Sequence, residues 1–366
     1  MSENWYSVAH PEHIPSPGIL FYQDRIRRNI AMMIAIAGDA NRLVPHSKTH
    51  KTIEVLQLQL QVGITKFKVS TIAEAEMAAM AGAHWVLLAY PLVGPNIERF
   101  ATLIDKYPDT QFHALVDNNA AVESIEAFFS EKEKQAAVFI DVNDGMNRTG
   151  IETAGLVALI KAMEGFRHLQ LAGLHIYDGH LRNPYFEERR VEVNEALEKV
   201  LDAIKDIRNK NWMLITGGTP SFTVHALREG VYCSPGTCLL WDWGYDDALE
   251  EQLFEWAAVL LTRVVSKPTE GIITIDLGHK AVSAENPVNR RVKFLNLAGY
   301  ELLSQSEEHG VLKVANWKEI QVGDVLYGIP YHVCPTVALY ETATVIEHGE
   351  IVDEWNIISR KRKITI

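Results

Sequence analysis

Short apolar runs alternate with longer amphipathic stretches between about residue 40 and residue 240 of this chain. Short runs bounded by turn residues are typical of buried parallel strands, and stretches with apolar residues at helical spacing are typical of surface helices. The pattern predicts eight strands, each followed by a helix, at residues 41–48, 66–70, 85–90, 112–117, 137–143, 171–177, 212–217 and 231–237. Eight such units in succession are what a closed parallel barrel requires.

Two of the intervening helices are especially clear. Residues 71–80 carry apolar side chains at helical spacing, with Glu74 in the first turn, where a negative charge suits the helix dipole. Residues 187–209 form the second. The alternative fold, an open doubly wound sheet for a dinucleotide, calls for a GxGxxG turn after a strand, and none is found. The sequence therefore predicts a (β/α)8 TIM-type barrel over residues 23–240.

The pattern changes after about residue 240. Alternating apolar and polar residues at 257–265, 271–276 and 292–297, separated by Gly, Pro and Asn, predict antiparallel strands. We interpret residues 241–366 as a β domain, which residues 1–22 join through a strand at 18–22. The chain is thus predicted to be α/β with a C-terminal antiparallel domain.

Composition restricts the function classes. A formal charge of −12 over 366 residues argues against nucleic acid or an anionic membrane as a partner. No apolar window approaches the ~18 residues that a membrane helix needs, and residues 1–6 show no signal-peptide pattern. The three cysteines, an odd and sparse set, suggest reduced thiols and a cytoplasmic location.

Polar residues end nearly every predicted strand, and in a barrel these ends converge on one face, where active sites form. Lys48, within residues 45–51 (PHSKTHK), ends the first strand. A lysine that forms a Schiff base needs a neutral amine, so its pKa must fall from about 10.4. Burial, together with Lys51 or a protonated His46 or His50, would lower it. The chemistry of Lys48 alone favours a solvated loop lysine over a catalytic one, since residues 48–51 (KTHK) are unexceptional for a loop.

Residues 45–51 resemble the cofactor-lysine motif of D-threonine aldolases and D-serine dehydratases, which are fold-type III pyridoxal-phosphate enzymes related to alanine racemase. Further similar stretches follow in the same order at 71–76 (TIAEAE), 141–150 (DVNDGMNRTG), 175–180 (HIYDGH), 217–220 (GGTP) and 234–237 (SPGT). The resemblance covers nearly the whole chain. It implies pyridoxal 5'-phosphate as the cofactor and selects Lys48 over Lys51 as its anchor.

Two glycine turns follow the seventh and eighth predicted strands, where barrels commonly bind a phosphate. The candidate phosphate residues are Gly218, Thr219, Gly236 and Thr237. By resemblance, Arg148 would contact the phenolic oxygen of the cofactor or the substrate carboxylate, and Tyr177 would lie beside the cofactor ring. The sequence does not assign the group that faces the pyridine nitrogen, which controls how strongly the cofactor withdraws electrons.

His332 and Cys334 are two positions apart, so in an extended strand they would share one face and could reach one ion. Two donors alone also fit a packed core. The resemblance implies a divalent metal here, zinc or manganese, since D-serine dehydratases bind zinc through His-x-Cys while D-threonine aldolases often carry His-x-Asp. Open metal positions would bind the β-hydroxyl of the substrate. His180 is a candidate to move its proton.

The resemblance implies a pyridoxal-phosphate- and metal-dependent lyase acting on small D-3-hydroxy amino acids, in a homodimer. The whole-chain likeness favours the D-threonine aldolase type, which yields glycine and an aldehyde. The His-x-Cys pair favours the alternative, a D-serine or D-3-hydroxyaspartate dehydratase. A racemase would need a second base on the opposite face, which we do not find. A non-catalytic carrier of the cofactor is disfavoured by the second domain.

Overall fold

The computed structural model describes residues 4–366, so the first three residues of the predicted 1–22 segment lie outside the described residues. The described chain divides into two compact units. One contains residues 4–32, 49–52 and 237–360, and the other contains residues 33–48, 53–236 and 361–366. Within residues 4–366, no helix is both long and apolar enough to span a membrane.

Strand β1 (Gly18–Tyr22) and helix α1 (Gln23–Ala37) open the chain. The barrel unit then alternates helices and parallel strands in the order α2 (Ile53–Leu60), β2 (Lys66–Val69), α3 (Ile72–Met80), β3 (Trp85–Pro91), α4 (Asn96–Lys106), β4 (Gln111–Val116), α5 (Asn119–Glu131), β5 (Ala136–Asn143), β6 (Ile151–Glu152), α6 (Thr153–Met163), β7 (Leu169–Ile176), α7 (Phe186–Ile204), β8 (Met213–Thr216), α8 (Phe222–Ala226) and β9 (Tyr232–Cys233). The strands pair in the order β2-β3-β4-β5-β7-β8-β9, with the short β6 beside β5.

The first predicted strand, 41–48, is not a regular strand, and this part of the prediction is wrong in detail. Residues 43–47 nevertheless bridge both edges of the sheet, because Val44 N–H donates to Cys233 O at 2.9 Å and Ser47 N–H donates to Lys68 O at 2.9 Å. Pro45 lies in the middle and has no N–H, so it interrupts a regular ladder. This segment closes the seven-strand array as an eighth member, and the predicted barrel class is confirmed.

The barrel interior is filled by an apolar cluster that the closing segment and strands β3, β4, β5 and β8 supply: Val44, Trp85, Leu87, Leu115, Phe139 and Ile215. Around it, helices begin where their caps predict. Thr71 Oγ1 accepts the Glu74 N–H at 3.1 Å, and the Glu74 carboxylate accepts the Ser70 N–H at 2.6 Å, a reciprocal cap that starts α3. The predicted helix at 71–80 is therefore confirmed, and the one at 187–209 ends earlier, at Ile204.

The other unit is built on a nine-stranded sheet. Its later elements are α9 (Trp243–Ala248), β10 (Ala258–Thr269), β11 (Ile272–Ile275), β12 (Val292–Phe294), β13 (Tyr300–Gln305), β14 (Gly310–Val314), β15 (Val325–Pro330), α10 (Val333–Val337), β16 (Thr342–Glu347) and β17 (Glu350–Asn356). The central order is β13-β14-β11-β10-β1-β16-β17, with β15 pairing β10 and β12. Strand β1 lies antiparallel to β10 and parallel to β16, so the predicted contribution of residues 18–22 is present.

The C-terminal residues depart from the predicted boundary, which assigned 241–366 to the β domain. Residues 361–366 belong to the barrel unit. The buried Glu76 carboxylate accepts the Thr365 N–H at 3.0 Å, and Arg99 donates to Ile366 O at 2.8 Å. Lys106 and Tyr107 also donate to Glu76, at 3.1 and 3.2 Å, so the tail completes the hydrogen bonding of a carboxylate that is buried.

Candidate active site

Three residues that the sequence singled out converge at the carboxyl ends of the barrel strands. The Lys48 Nζ lies 5.7 Å and the Arg148 guanidinium carbon 5.1 Å from the centroid of the Tyr177 ring. Tyr177 directly follows β7, Arg148 lies in the loop after β5, and Lys48 follows the segment that closes the barrel. Cations over an aromatic face are attracted by its quadrupole. The barrel mouth thus presents an amine and a guanidinium around one ring.

One of the two imidazoles that the sequence suggested as a cation beside Lys48, His50, carries no charge. His50 is fully buried, and burial, followed by the positive charge of Lys51, lowers its pKa to about 3. It is therefore neutral. Lys51 occupies the left-handed backbone region (φ 58°), and its carbonyl accepts the Ser359 N–H at 3.4 Å. Lys51 is thus fixed through its backbone, in keeping with a supporting position.

The two predicted phosphate turns are joined by one hydroxyl. Thr219 Oγ1 accepts the Gly236 N–H at 3.1 Å. A Cβ at Gly236 would lie 2.8 Å from His46 O, and a Cβ at Gly218 would lie 2.9 Å from Tyr177 Cε2. Glycine is required at both positions because the backbone passes so close to its neighbours. Thr237 is buried directly after the second turn. Glycine turns lined with hydroxyls form a cradle that fits a phosphate group.

A buried carboxylate supports the first turn. Asp178 accepts a hydrogen bond from Ser221 Oγ at 2.6 Å and from His225 Nε2 at 2.7 Å, and the Ser221 hydroxyl in turn accepts the Gly218 N–H at 3.2 Å. Burial alone would raise the pKa of Asp178, but the charge and hydrogen bond of His225 and the Ser221 hydroxyl together hold it below the ordinary value. Asp178 lies within the 175–180 stretch but was not singled out as functional.

Sequence analysis also missed a buried chain of polar groups beside the mouth. Lys68 on β2 donates to His175 Nε2 at 3.4 Å, and the His175 ring donates from Nδ1 to Asp141 at 2.7 Å. The alternating residues 66–69 (KFKV) would ordinarily place both lysines on a solvent face, whereas a barrel strand turns that face inward. The sequence did contain one indication of this chain of groups: Lys68 lies two residues before the end of the predicted strand 66–70.

Asp144 and His180 lie on the loops above the mouth. Asp144 borders a small cavity with Arg148 and Tyr177. Burial, then the negative charges of Asp178 and Asp141, raises the pKa of Asp144 to about 7. His180 is exposed, and its Nε2 would be 2.9 Å from a Cβ at Gly145. No hydrogen bond within residues 4–366 joins His180 to Lys48 or Tyr177.

The predicted metal pair does not lie in a strand, so that expectation is wrong. His332 is extended (φ −129°, ψ 106°) and caps α10, and Cys334 lies in the first turn of this helix. The two side chains still meet. Although burial opposes the charge on His332, its hydrogen bond with Cys334 raises its pKa to about 9. Glu285 contacts His332 Nδ1.

Two threonine hydroxyls lie beside the Cys334 thiol. Cys334 Sγ lies 3.2 Å from Thr49 Oγ1 and 3.5 Å from Thr237 Oγ1, and these threonines follow Lys48 and Gly236 in the chain. Asp242 accepts the Val333 N–H at 3.0 Å and so fixes the start of α10.

The donor atoms of the pair and its neighbour fit a metal. Imidazole, thiol and carboxylate donors together suit zinc. Within residues 4–366, one set of three donor atoms lies within 4.8 Å of one another, and it is formed by the exposed His10, Glu12 and His13. His332, Cys334 and Glu285 are not such a set, so they match zinc by donor type and not by a closed cluster of donor atoms.

Comparison with known proteins identifies the chain. The alanine racemase N-terminal domain family matches residues 22–242, and a serine dehydratase domain family matches residues 257–346. D-threonine aldolase of Arthrobacter sp is 26% identical over 87% of this chain and 85% of that protein. D-threo-3-hydroxyaspartate dehydratase of Delftia sp. is 24% identical over 93% of this chain and 97% of that protein.

A solved structure shows the same fold. The crystal structure of D-threonine aldolase from Filomicrobium marinum has a TM-score of 0.86 at 24% identity and covers 95% of each chain. The match over residues 22–242 spans more than half of the chain. The chain therefore belongs to the alanine racemase N-terminal domain family and, with its aldolase and dehydratase relatives, is a pyridoxal-phosphate-dependent lyase acting on D-amino acids.

Proposed function

We propose that this lyase cleaves D-3-hydroxy amino acids to glycine and an aldehyde, as a D-threonine aldolase does. The observation that carries the proposal is the convergence of Lys48 and Arg148 on the Tyr177 ring, at the end of the barrel that also holds the two glycine turns. An amine, a guanidinium, an aromatic ring and a phosphate cradle together match the chemical groups of pyridoxal phosphate.

Each residue has a role in this proposal. Lys48 would hold the cofactor covalently, and its phosphate would lie on the turns at Gly218–Thr219 and Gly236–Thr237. Tyr177 would support the cofactor ring, and Arg148 would bind an anionic oxygen of the cofactor or the substrate carboxylate. When bound, the cofactor withdraws electrons from the bonds of the substrate α-carbon.

His332 and Cys334 would hold a zinc or manganese ion, with Glu285 as a neighbouring carboxylate. A divalent ion, when bound, polarises an oxygen ligand. In the aldolase reaction, the base His180 would take the proton of the β-hydroxyl, and the freed electron pair on oxygen would form the C=O bond of the aldehyde as the Cα–Cβ bond breaks. The Cα–Cβ electron pair would remain with Cα, which would take up one proton to give glycine. An exposed imidazole at the mouth is suited to exchange that proton with solvent.

The second candidate is dehydration of D-serine or D-3-hydroxyaspartate, and Cys334 favours it. A thiol donor selects zinc over harder ions, whereas the aldolases of the group often carry a carboxylate at this position. Dehydration needs a base at Cα rather than at the hydroxyl, and the Lys48 amine is that base. The hydroxyl would take up a proton and leave as water, and hydrolysis of the resulting imine by a second water molecule would release ammonia and a keto acid.

One set of assays distinguishes the candidates. Purified protein supplied with pyridoxal phosphate is mixed with D- and L-threonine, D- and L-serine and 3-hydroxyaspartate, with and without a chelator. We expect glycine and aldehyde from the D-enantiomers only, and loss of product after metal removal. Keto acid and ammonia instead would establish the dehydratase. Turnover of L-substrates alone, or full activity without metal, contradicts both.

Variants of the two motif lysines test the anchor. Lys48→Ala should lose both activity and the visible absorbance of lysine-bound cofactor, while the matched Lys51→Ala should keep the absorbance. Retention of the absorbance by Lys48→Ala would show that another lysine holds the cofactor. Sedimentation of the holoenzyme tests the homodimer that the resemblance implies.

A further inference from the structure

Lys68 is a buried lysine without an ion pair. Its side chain is 1% exposed, and its amine donates to His175 Nε2 at 3.4 Å and to Gly217 O at 3.5 Å. No carboxylate within residues 4–366 forms an ion pair with it. Lysine is almost never fully buried unless it is paired. A cation at this position is costly to fold, so its presence in the barrel mouth calls for a function.

A relay orients this amine. Burial, followed by the positive charge of Lys68, lowers the pKa of His175, so the imidazole is neutral. Its Nδ1–H donates to Asp141, which leaves the Nε2 lone pair facing Lys68. Asp141 is held by a second hydrogen bond from Thr149 Oγ1 at 2.7 Å. The His175 imidazole, in a defined tautomer, thus lies between the negative charge of Asp141 and the amine of Lys68.

The amines of Lys68 and Lys48 both lie near the Tyr177 ring. The Lys68 Nζ lies 5.1 Å from the ring centroid, against 5.7 Å for the Lys48 Nζ. Burial, followed by the positive charge of Lys48, lowers the pKa of Lys68 to about 7. The other charges that act on Lys68 are Asp178 and Asp141, which favour its protonation, and Arg148, which opposes it. Electrostatic coupling between two titrating groups is mutual, so a charge on Lys68 also acts on whatever Lys48 carries.

We propose that Lys68 is a positioning residue that sets the proton affinity of the covalent link between Lys48 and pyridoxal phosphate. This inference rests on the proposed function of Lys48 as the cofactor anchor. The Lys48 amine condenses with the aldehyde of the cofactor and water leaves, so the link is a C=N bond that can carry one proton. A positive charge on Lys68 repels a positive charge on this link, so it disfavours protonation of the link.

The test is a pH titration of the visible absorbance of the holoenzyme. In Lys68→Met the midpoint should rise by about one pH unit relative to wild type, because a like charge has been removed. Lys68→Arg keeps a charge at every pH, so its midpoint should not rise. Lys66→Met is the matched control, since Lys66 lies on the same face of β2, two residues earlier and beside Tyr232. Its midpoint should equal that of wild type.

A second variant covers the case in which Lys68→Met does not fold. Asp141→Asn removes the negative charge behind His175 and should lower the midpoint, while circular dichroism verifies folding. The inference about Lys68 is overturned if the folded variants keep the wild-type midpoint. It is also overturned if the absorbance does not vary with pH in any of them. Failure of the Lys48 proposal has a different signature, because borohydride reduction followed by peptide mass analysis would then find the cofactor on another lysine.

Discussion

Replacing Asp178 by alanine tests how the phosphate turn is held. The Asp178 side chain is 3% exposed and accepts hydrogen bonds from Ser221 and His225 at 2.6 and 2.7 Å. Removing it leaves a buried hydroxyl and a buried imidazole without their acceptor. The same change frees the Ser221 hydroxyl, which positions the Gly218 N–H. We therefore expect Asp178→Ala to lower both the stability of the barrel unit and its affinity for the cofactor.

The magnitude follows from the number and type of the lost interactions. Hydrogen bonds to a charged group contribute about 1.5–3 kcal/mol each, and Asp178→Ala removes two of them. We expect the free energy of unfolding to fall by about 3–5 kcal/mol. In a domain of about 200 residues, each kcal/mol moves Tm by about 2–4 °C, so Tm should fall by roughly 10 °C.

Thermal and urea unfolding measure this change in the absence of added phosphate. Asp202→Ala, at an exposed position of α7, is the matched control and should leave the free energy of unfolding within about 0.5 kcal/mol of wild type. A double-mutant cycle with His225→Ala should show coupling of about 0.5–3 kcal/mol. A loss below about 1 kcal/mol for Asp178→Ala, or strict additivity with His225→Ala, would refute the reasoning.

Three further predictions concern other parts of the chain. Asp144 has a raised pKa of about 7, so the folded chain keeps a proton that the unfolded chain releases, and stability falls as pH rises from about 4 to about 7. Asp144→Asn should therefore raise the free energy of unfolding by about 1–2 kcal/mol at pH ~8 and leave it unchanged near pH ~4, measured in urea; an equal effect at both pH values would contradict this. Cys334→Ala should lower the zinc content of the purified protein, measured by elemental analysis. The control variant His13→Ala, in the exposed cluster, should not affect activity. An unchanged zinc content in Cys334→Ala would contradict the assignment of Cys334 as a metal ligand. Glu76→Gln should speed proteolysis within residues 361–366 and lower the free energy of unfolding by about 2 kcal/mol, and Thr365→Ala should lower it by less. Protection from proteolysis equal to that of wild type would show that other contacts hold the tail.

Several features could be predicted from local pattern alone. The alternation of short apolar runs with amphipathic stretches is a property of neighbouring residues, and it predicted the strand and helix succession of the barrel, as well as the strand at 18–22. Lys48, Arg148 and Tyr177 each lie near the end of a strand. Once the strands were assigned, the barrel topology required them to meet.

Other features depended on partners far away in the chain. The apolar pattern predicted a strand at 41–48, but it did not show that Pro45 interrupts the ladder, so that this segment joins both sheet edges only through isolated bridges. His332 and Cys334 meet across a helix start rather than along a strand, because Asp242, far away in the chain, accepts the Val333 N–H at the first residue of α10. Residues 361–366 join the barrel unit because Glu76 needs hydrogen bonds.

Lys68 shows the difference most clearly. Along the chain, a lysine alternates with apolar residues on this strand, a pattern that indicates a solvent-facing side chain. In the folded barrel this face points inward instead, so Lys68 lies beside His175 and near the Tyr177 ring that Lys48 also approaches. The physical reason is that burial and electrostatic coupling depend on distances in space. Residues 48, 68 and 177 come close only when parallel strands close into a ring.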